Sequence, residues 1–283
     1  MNEKPLIGFI GQGYVGKNYA DDFEQRGFEV IRYALEEPFV ANKARIAECD
    51  VVFVGVPTPT TPTGFDASIV ERAIDLVGIG KTVVIKSTIL PGTTVRIQKK
   101  YPDRIVMYSP EFLSEVTARE DVSTPFASVV GISENTEAHQ AAGKYVLDIL
   151  PPAPFIKVMT STEAEIFKYA HNTSGYIQVV FFNMLYDLAQ SLGQNWIPIG
   201  DAIAADPYIS NRYSNPIHKT GRGAGGHCFI KDFAALHALY AEIRPEDALG
   251  ISVFAAAEQK NLQLLRSTKK DEDLVQGVYG PNI

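Results

Sequence analysis

An apolar run, Leu6-Ile7-Gly8-Phe9-Ile10, leads directly into Gly11-Gln12-Gly13-Tyr14-Val15-Gly16 and then into a stretch with helical spacing to about Arg26. The run reads as a buried strand, and the glycines that follow permit a tight turn and a close backbone approach to a ligand. Strand, glycine turn and helix in that order predict the first β-α unit of a dinucleotide-binding sheet. The pyrophosphate would be received by Gly11, Gly13, Tyr14, Val15 and Gly16, where backbone N–H groups point out of the helix start.

Further apolar runs recur at the spacing that such a sheet needs, over residues 28–33, 51–56, 82–87, 105–108, 129–132 and 155–158, with a helix predicted over 137–150. Alternation of this kind predicts a parallel sheet that ends near Met159. From Ser161 the pattern changes to long helical segments, over 161–192, 198–205, 232–240 and 245–267. The expected architecture is α/β: a Rossmann-like doubly wound sheet over residues 1–159, then a mainly helical second domain over 160–283. Between the helices, 206–227 reads as a loop rich in glycine and proline, and 269–283 as a polar, frayed tail.

The acid expected near the end of the second strand, where it would bind ribose hydroxyls, has Glu36 as its nearest candidate. Arg32 offers a partner for a 2'-phosphate, but its place inside the strand pattern favours a solvent-facing side chain. NAD is therefore expected ahead of NADP. A formal charge of -7 leaves no broad basic field for nucleic acid or an anionic membrane. No apolar run approaches the roughly 18 residues of a spanning helix, and no signal peptide precedes the first strand, so a cytoplasmic chain is expected. Cys49 and Cys228 make no disulfide framework; Cys49, at the edge of an apolar run, reads as packing.

Cys228 sits in a different setting. The stretch Gly225-Gly226-His227-Cys228-Phe229-Ile230-Lys231-Asp232 presents a thiol, an ammonium and a carboxylate together. Nearby cations favour a thiolate, which adds to an aldehyde, and a nicotinamide can oxidise the adduct. Taken alone, the stretch fits a tight turn around an inert, buried cysteine better. It has company, however: Val56-Pro57-Thr58-Pro59, Lys86-Ser87-Thr88 with Pro91-Gly92-Thr93-Thr94, Pro110-Glu111-Phe112-Leu113-Ser114-Glu115, and Lys168 with Asn172.

This ordered set resembles the UDP-glucose/GDP-mannose 6-dehydrogenase family, nucleotide-sugar dehydrogenases that oxidise a sugar C6 alcohol to a carboxylate. The resemblance covers nearly the whole chain but only about the first two-thirds of such an enzyme, whose third domain normally binds much of the nucleotide. It implies that NAD takes a hydride from the alcohol while a water held by Thr88 and Asp232 helps remove the proton. Cys228 would then attack the aldehyde, a second NAD would take a hydride to leave a thioester, and water activated by Glu111 would release the acid. Lys168 and Asn172, four apart on a predicted helix, would stabilise the oxyanion. Cofactor contacts are implied for Val56, Pro57, Thr58, Ser87, Thr88, Glu115 and Lys231, several of them just after predicted strands, where ligands of open sheets gather. Lys231 equally fits a surface ion pair with Asp232. Substrate contacts are implied for Phe112, Leu113, Lys168, Asn172, Arg212 and Gly225, with no metal required. Arg212 enters because the family carries an arginine at the place of Tyr208.

The same resemblance places the chain in the supply of polysaccharide precursors. Two alternatives remain open: a hydroxyacid-type dehydrogenase that removes a single hydride and has no use for Cys228, and a non-catalytic NAD-binding assembly or regulatory subunit. Leu249, Val253, Phe254, Ala257, Leu262 and Leu265 form an apolar helix face that predicts a homodimer, unless it packs within its own chain.

Overall fold

The computed structural model describes residues 4–114, 116–219 and 221–281. The chain divides into two compact units, Met1–Thr58 with Asp66–Lys168, and Pro59–Phe65 with Tyr169–Ile283.

In chain order the strands are β1 (Ile7–Ile10), β2 (Val30–Tyr33) and β3 (Val51–Val54), a short hairpin of β4 (Thr60–Thr61) and β5 (Gly64–Phe65) that belongs to the second unit, then β6 (Thr82–Ile85), β7 (Ile105–Tyr108), β8 (Ala127–Ile132) and β9 (Phe155–Thr160). Helices α1 (Tyr14–Gln25), α2 (Ser68–Ile74), α3 (Thr93–Lys100), α4 (Ala118–Ser123) and α5 (Glu137–Ile149) complete the first unit up to β9. Its seven-stranded sheet runs β2-β1-β3-β6-β7-β8-β9, a Rossmann-like order. Both β1 and β3 are buried at every residue, which is why they read as unbroken apolar runs instead of alternating ones. Phe9 and Phe53, paired in register, stack at 5.0 Å, and Phe23 of α1 meets Phe9 edge-on at 5.5 Å.

The sheet is not parallel throughout, as the alternation predicted. β8 pairs antiparallel to β7, with Tyr108 opposite Gly131, and β9 runs parallel to β8. An antiparallel neighbour needs no crossover to the far edge of the sheet. The segment between β7 and β8 therefore turns back with only the six-residue α4 in it.

Helix α6 (Ser161–Ser191) leads into the second unit, where α7 (Trp196–Ala205), the antiparallel pair β10 (Ile217–His218) and β11 (Gly221–Arg222), α8 (Gly226–Ile243), α9 (Ala248–Ser267) and α10 (Glu272–Tyr279) follow. Tyr176 of α6 stacks on Phe233 of α8 at 3.8 Å in one core, while Ile230, Leu265, Val275 and Val278 form another.

Three expectations are corrected here. The helix expected over 232–240 begins at Gly226, so Cys228 lies in its first turn. The tail is not frayed: α10 buries Val275 and Val278. The α9 face packs largely within the chain, since Phe254 and Ala257 join the Tyr176 core and Leu265 is buried, leaving Leu249 and Val253 exposed. Among the described residues no helix is long and apolar enough to cross a membrane.

Candidate active site

The glycine turn of the first unit is shaped by contacts that leave no room for side chains. Gly11 has a φ of +91°, and a Cβ there would lie 2.2 Å from the Gly55 carbonyl oxygen. A Cβ on Gly16 would lie 1.9 Å from the Gly11 oxygen, so the turn closes onto its own helix. Gly13 differs: it precedes α1 as its cap, has no side-chain partner, and faces open space. The start of a twelve-residue helix whose cap supplies no side-chain acceptor, beside a surface without side chains, fits a pyrophosphate. Of the adjoining residues, Val15 packs on the core beneath and the Tyr14 hydroxyl donates to the Ser114 carbonyl.

Arg32 does not face solvent unpaired. Its guanidinium lies 2.7 Å from both Asp21 and Glu24 on α1, because the strand side chain points back across the helix that covers it. It is thereby engaged by carboxylates, while Glu36 is exposed just beyond β2. Glu115 lies outside the described residues.

At the carboxyl ends of β3 and β6 the chain is tied together by hydroxyls. Val56 N–H donates to Ser87 Oγ at 2.9 Å, Ser87 Oγ donates to the Val56 carbonyl at 2.7 Å, and Thr58 Oγ1 donates to the Thr88 carbonyl at 2.7 Å. Pro57 is exposed between them. Beyond β7, Glu111 is buried with both carboxylate oxygens occupied: Lys168 Nζ donates to Oε1 at 2.9 Å and to the Glu111 carbonyl at 2.6 Å, and Leu113 N–H donates to Oε2 at 2.8 Å. Burial alone would raise this carboxyl, but Lys168, the Leu113 N–H and Lys86 outweigh it and hold Glu111 below the usual carboxylate range. Phe112 sits among Phe126 and Phe167 at 4.8 and 5.0 Å, and Leu113 packs on the core.

Asn172 follows Lys168 by one turn of α6. In the second unit its Nδ2 donates to Asp232 Oδ2 at 2.7 Å, and Lys231 Nζ donates to Oδ1 at 2.5 Å. Asp232, 1% exposed, is thus clasped on both oxygens. The Lys231 ion pair is the one anticipated as the plainer role of that residue, although its partner is buried, not on the surface. Cys228 is exposed one turn before Asp232, so the two project to the same side of α8. Cys49, by contrast, is buried, and its thiol is pushed up to about 11 chiefly by that burial. Arg212 is exposed on a short 3-10 turn with its guanidinium over the Tyr213 ring. Gly225 caps α8 and abuts the Asp271 carboxylate.

Sequence reading passed over two buried charges in the first unit. Lys86 Nζ donates to Ser109 Oγ at 3.0 Å and lies 4.1 Å from the centre of the Tyr19 ring. Glu165 accepts from Gly92 N–H at 2.6 Å and from Thr94 N–H and Oγ1 at 2.9 and 2.6 Å, serving as the cap that α3 lacks locally. The first stood in the Lys86-Ser87-Thr88 triplet, of which only the hydroxyl residues suggested roles; nothing in the local sequence marks the second.

Comparison with known proteins agrees with the Rossmann-like fold. Residues 39–147 match the NAD binding domain, and residues 162–262 the central domain, of the UDP-glucose/GDP-mannose dehydrogenase family. The UDP-glucose 6-dehydrogenase of Streptococcus pneumoniae is 32% identical over an alignment covering 86% of this chain and 70% of that protein. The putative UDP-glucose 6-dehydrogenase YtcA of Bacillus subtilis is 29% identical over 84% of this chain, which spans 53% of the relative's length. Among solved structures, a UDP-glucose dehydrogenase from Pyrobaculum islandicum superposes with a TM-score of 0.78 at 26% identity, covering 93% of this chain and 69% of that one. The first unit is an NAD-binding domain, and the chain belongs to the UDP-glucose/GDP-mannose dehydrogenase family.

Proposed function

We propose that this protein oxidises the C6 alcohol of a nucleotide sugar to the carboxylate in two NAD-dependent steps through a covalent adduct on Cys228, supplying a polysaccharide precursor in the cytoplasm. The observation that carries the reading is the Asp232 carboxylate, buried and clasped by Asn172 and Lys231, one helical turn from an exposed cysteine. The Gly11–Gly16 turn would hold NAD, which would supply the hydride acceptor for each oxidation.

The chain's own residues handle protons and the carbon–sulfur bond. Asp232 receives the alcohol proton through a water, and Thr88 is a proton-handling residue of the first unit. Cys228, as thiolate, adds to C6 of the resulting aldehyde, and loss of the second hydride from that carbon leaves a thioester. Glu111 takes a proton from a water that adds to the thioester carbonyl; the carbon–sulfur bond breaks, the acid leaves and the thiolate returns. Lys168 and Asn172 stabilise negative charge at the sugar oxygen. Glu36, Val56, Pro57, Thr58, Ser87 and Lys231 line the dinucleotide, and Phe112, Leu113, Arg212 and Gly225 the sugar nucleotide. The relatives' names make UDP-glucose the first substrate to try. The protein acts as a homodimer.

The test counts NADH against acid formed from UDP-glucose and other nucleotide sugars. About two NADH per acid is expected, with kcat falling at least about a thousandfold in Cys228→Ser. One NADH per product together with an unaffected Cys228→Ala variant would replace this reading with a single-hydride dehydrogenase. A chain that binds NAD but turns over no nucleotide sugar would identify a non-catalytic subunit.

A further inference from the structure

The turn that presents Cys228 is held from outside, by a segment to which the proposed chemistry assigns no part. After α9 the chain passes through Thr268–Asp271 before α10 begins. Along that passage it grips the loop leading into α8. Arg222 N–H donates to Thr268 Oγ1 at 3.1 Å, Lys270 Nζ donates to the Gly223 carbonyl at 2.8 Å, and Gly226 N–H donates to Asp271 Oδ2 at 2.7 Å. Asn261, within the last two turns of α9, pairs with both backbone groups of Ala224 between them. The glycines of the loop fit this cover closely. A Cβ on Gly221 would lie 2.5 Å from Thr268 Oγ1, and one on Gly225 would lie 2.0 Å from Asp271 Oδ2.

Gly225 has a φ of -106°, which any residue adopts, so the space taken by Asp271 explains its lack of a side chain and backbone conformation does not. Lys270 is buried with its ammonium on a carbonyl, an arrangement that costs desolvation and persists only where the geometry holds it. Asp271 itself has a left-handed φ of +54°, a conformation that an aspartate adopts more readily than most residues and that aims its side chain at the α8 start.

We propose that Thr268–Asp271 is a strap that fixes the first turn of α8, with Asp271 as a positioning residue for Cys228. By accepting the Gly226 N–H, two residues before the thiol, Asp271 sets where α8 begins and therefore where the sulfur projects. Its catalytic consequence rests on the reading of Cys228 as nucleophile; the positioning itself does not.

The experiment uses the full chain and two variants. Asp271→Gly removes the carboxylate in a residue that favours the left-handed backbone, and Asp271→Asn keeps one acceptor in a residue that tolerates it. Amide hydrogen exchange over residues 222–228 and the rate of Cys228 alkylation by iodoacetamide, located by peptide mass and followed against pH, are the readouts. In Asp271→Gly, exchange should rise about tenfold over that loop alone, and the alkylation profile should move. Asp271→Asn should restore both, and kcat should fall in the glycine variant with KM for NAD unchanged.

The proposal is overturned if the glycine variant matches wild type in both readouts, if exchange rises evenly across α8 to α10, or if the asparagine variant folds yet fails to restore the loop. Should the glycine variant not fold, Lys270→Met, which removes only the bond to Gly223, faces the same criteria. Altered alkylation in a chain that forms no acid would sink the proposed function and leave the strap. Unchanged alkylation in an active chain would sink the strap alone.

Discussion

Lys86 shows what a motif conceals at the scale of one residue. The triplet Lys86-Ser87-Thr88 was visible in the sequence, yet only its hydroxyl residues suggested roles, because burial of an ammonium against Tyr19 is decided by a helix and a strand end far apart in the chain. Burial pushes Lys86 from 10.5 down to about 7, Lys168 adding to the effect and Glu111 opposing it. Between about 7 and 10.5 the unfolded chain holds a proton that the folded chain has released, so this group makes stability rise with pH through that window and leaves it flat below. Lys86→Met should remove the slope. In urea titrations at pH 7, 8 and 9, wild type should gain on the variant by up to a few kcal/mol in all, and equal slopes would refute the assignment. The variant should be no less stable at pH 7, where wild type bears the cost of burying the group. Glu111 behaves oppositely, because its charge is needed by two neighbours. Glu111→Gln should cost about 3 kcal/mol by leaving Lys168 short of a counter-charge. If the proposed chemistry holds, it should also accumulate a covalent adduct on Cys228 visible by intact mass.

Single elements were legible where periodicity was strong and illegible where a few residues act by contact. The strand-turn-helix at β1 and α1 declared itself because continuous burial and the glycine spacing each leave few alternatives. The reversal at β8 did not, since an apolar run carries no direction. Helix α10 was missed for another reason: Lys269, Lys270, Asp271, Glu272 and Asp273 give the segment a solvated look, and its apolar residues, Leu274, Val275, Val278 and Tyr279, are few. Read at helical spacing they form one face, and that face meets Ile230 and Leu265. The Tyr279 hydroxyl also donates to Glu258 at 2.7 Å. Val275→Ala and Val278→Ala should each cost about 1–3 kcal/mol in denaturant unfolding. Changes below about 0.5 kcal/mol would restore the frayed tail, because exposed positions rarely cost more.

For the molecule as a whole, an exposed apolar row lies on a helix other than the one that the sequence favoured. An amphipathic face is visible in sequence, but whether its own chain covers it is a tertiary outcome. The α9 face is largely spent on Tyr176 and Phe233. On α6, however, Ile177, Phe181, Met184 and Leu188 repeat at helical spacing and are exposed, Phe181 at 50% and Leu188 at 55%, with Leu192 continuing the line. That row runs about 20 Å along a straight helix, long enough for a symmetric copy to lie against it with each side chain meeting its equivalent's neighbours. If the protein is the homodimer proposed above, charges placed there should separate the copies without harming either. Phe181→Glu combined with Leu188→Glu should halve the mass measured by light scattering at micromolar concentration while retaining the circular dichroism spectrum and the affinity for NAD. Leu249→Glu on α9, exposed at 82%, should leave the mass unchanged. A wild-type chain of monomer mass, or a doubly charged variant that stays dimeric, would remove α6 as the contact, whereas dissociation by the α9 variant alone would return the interface to the helix first expected.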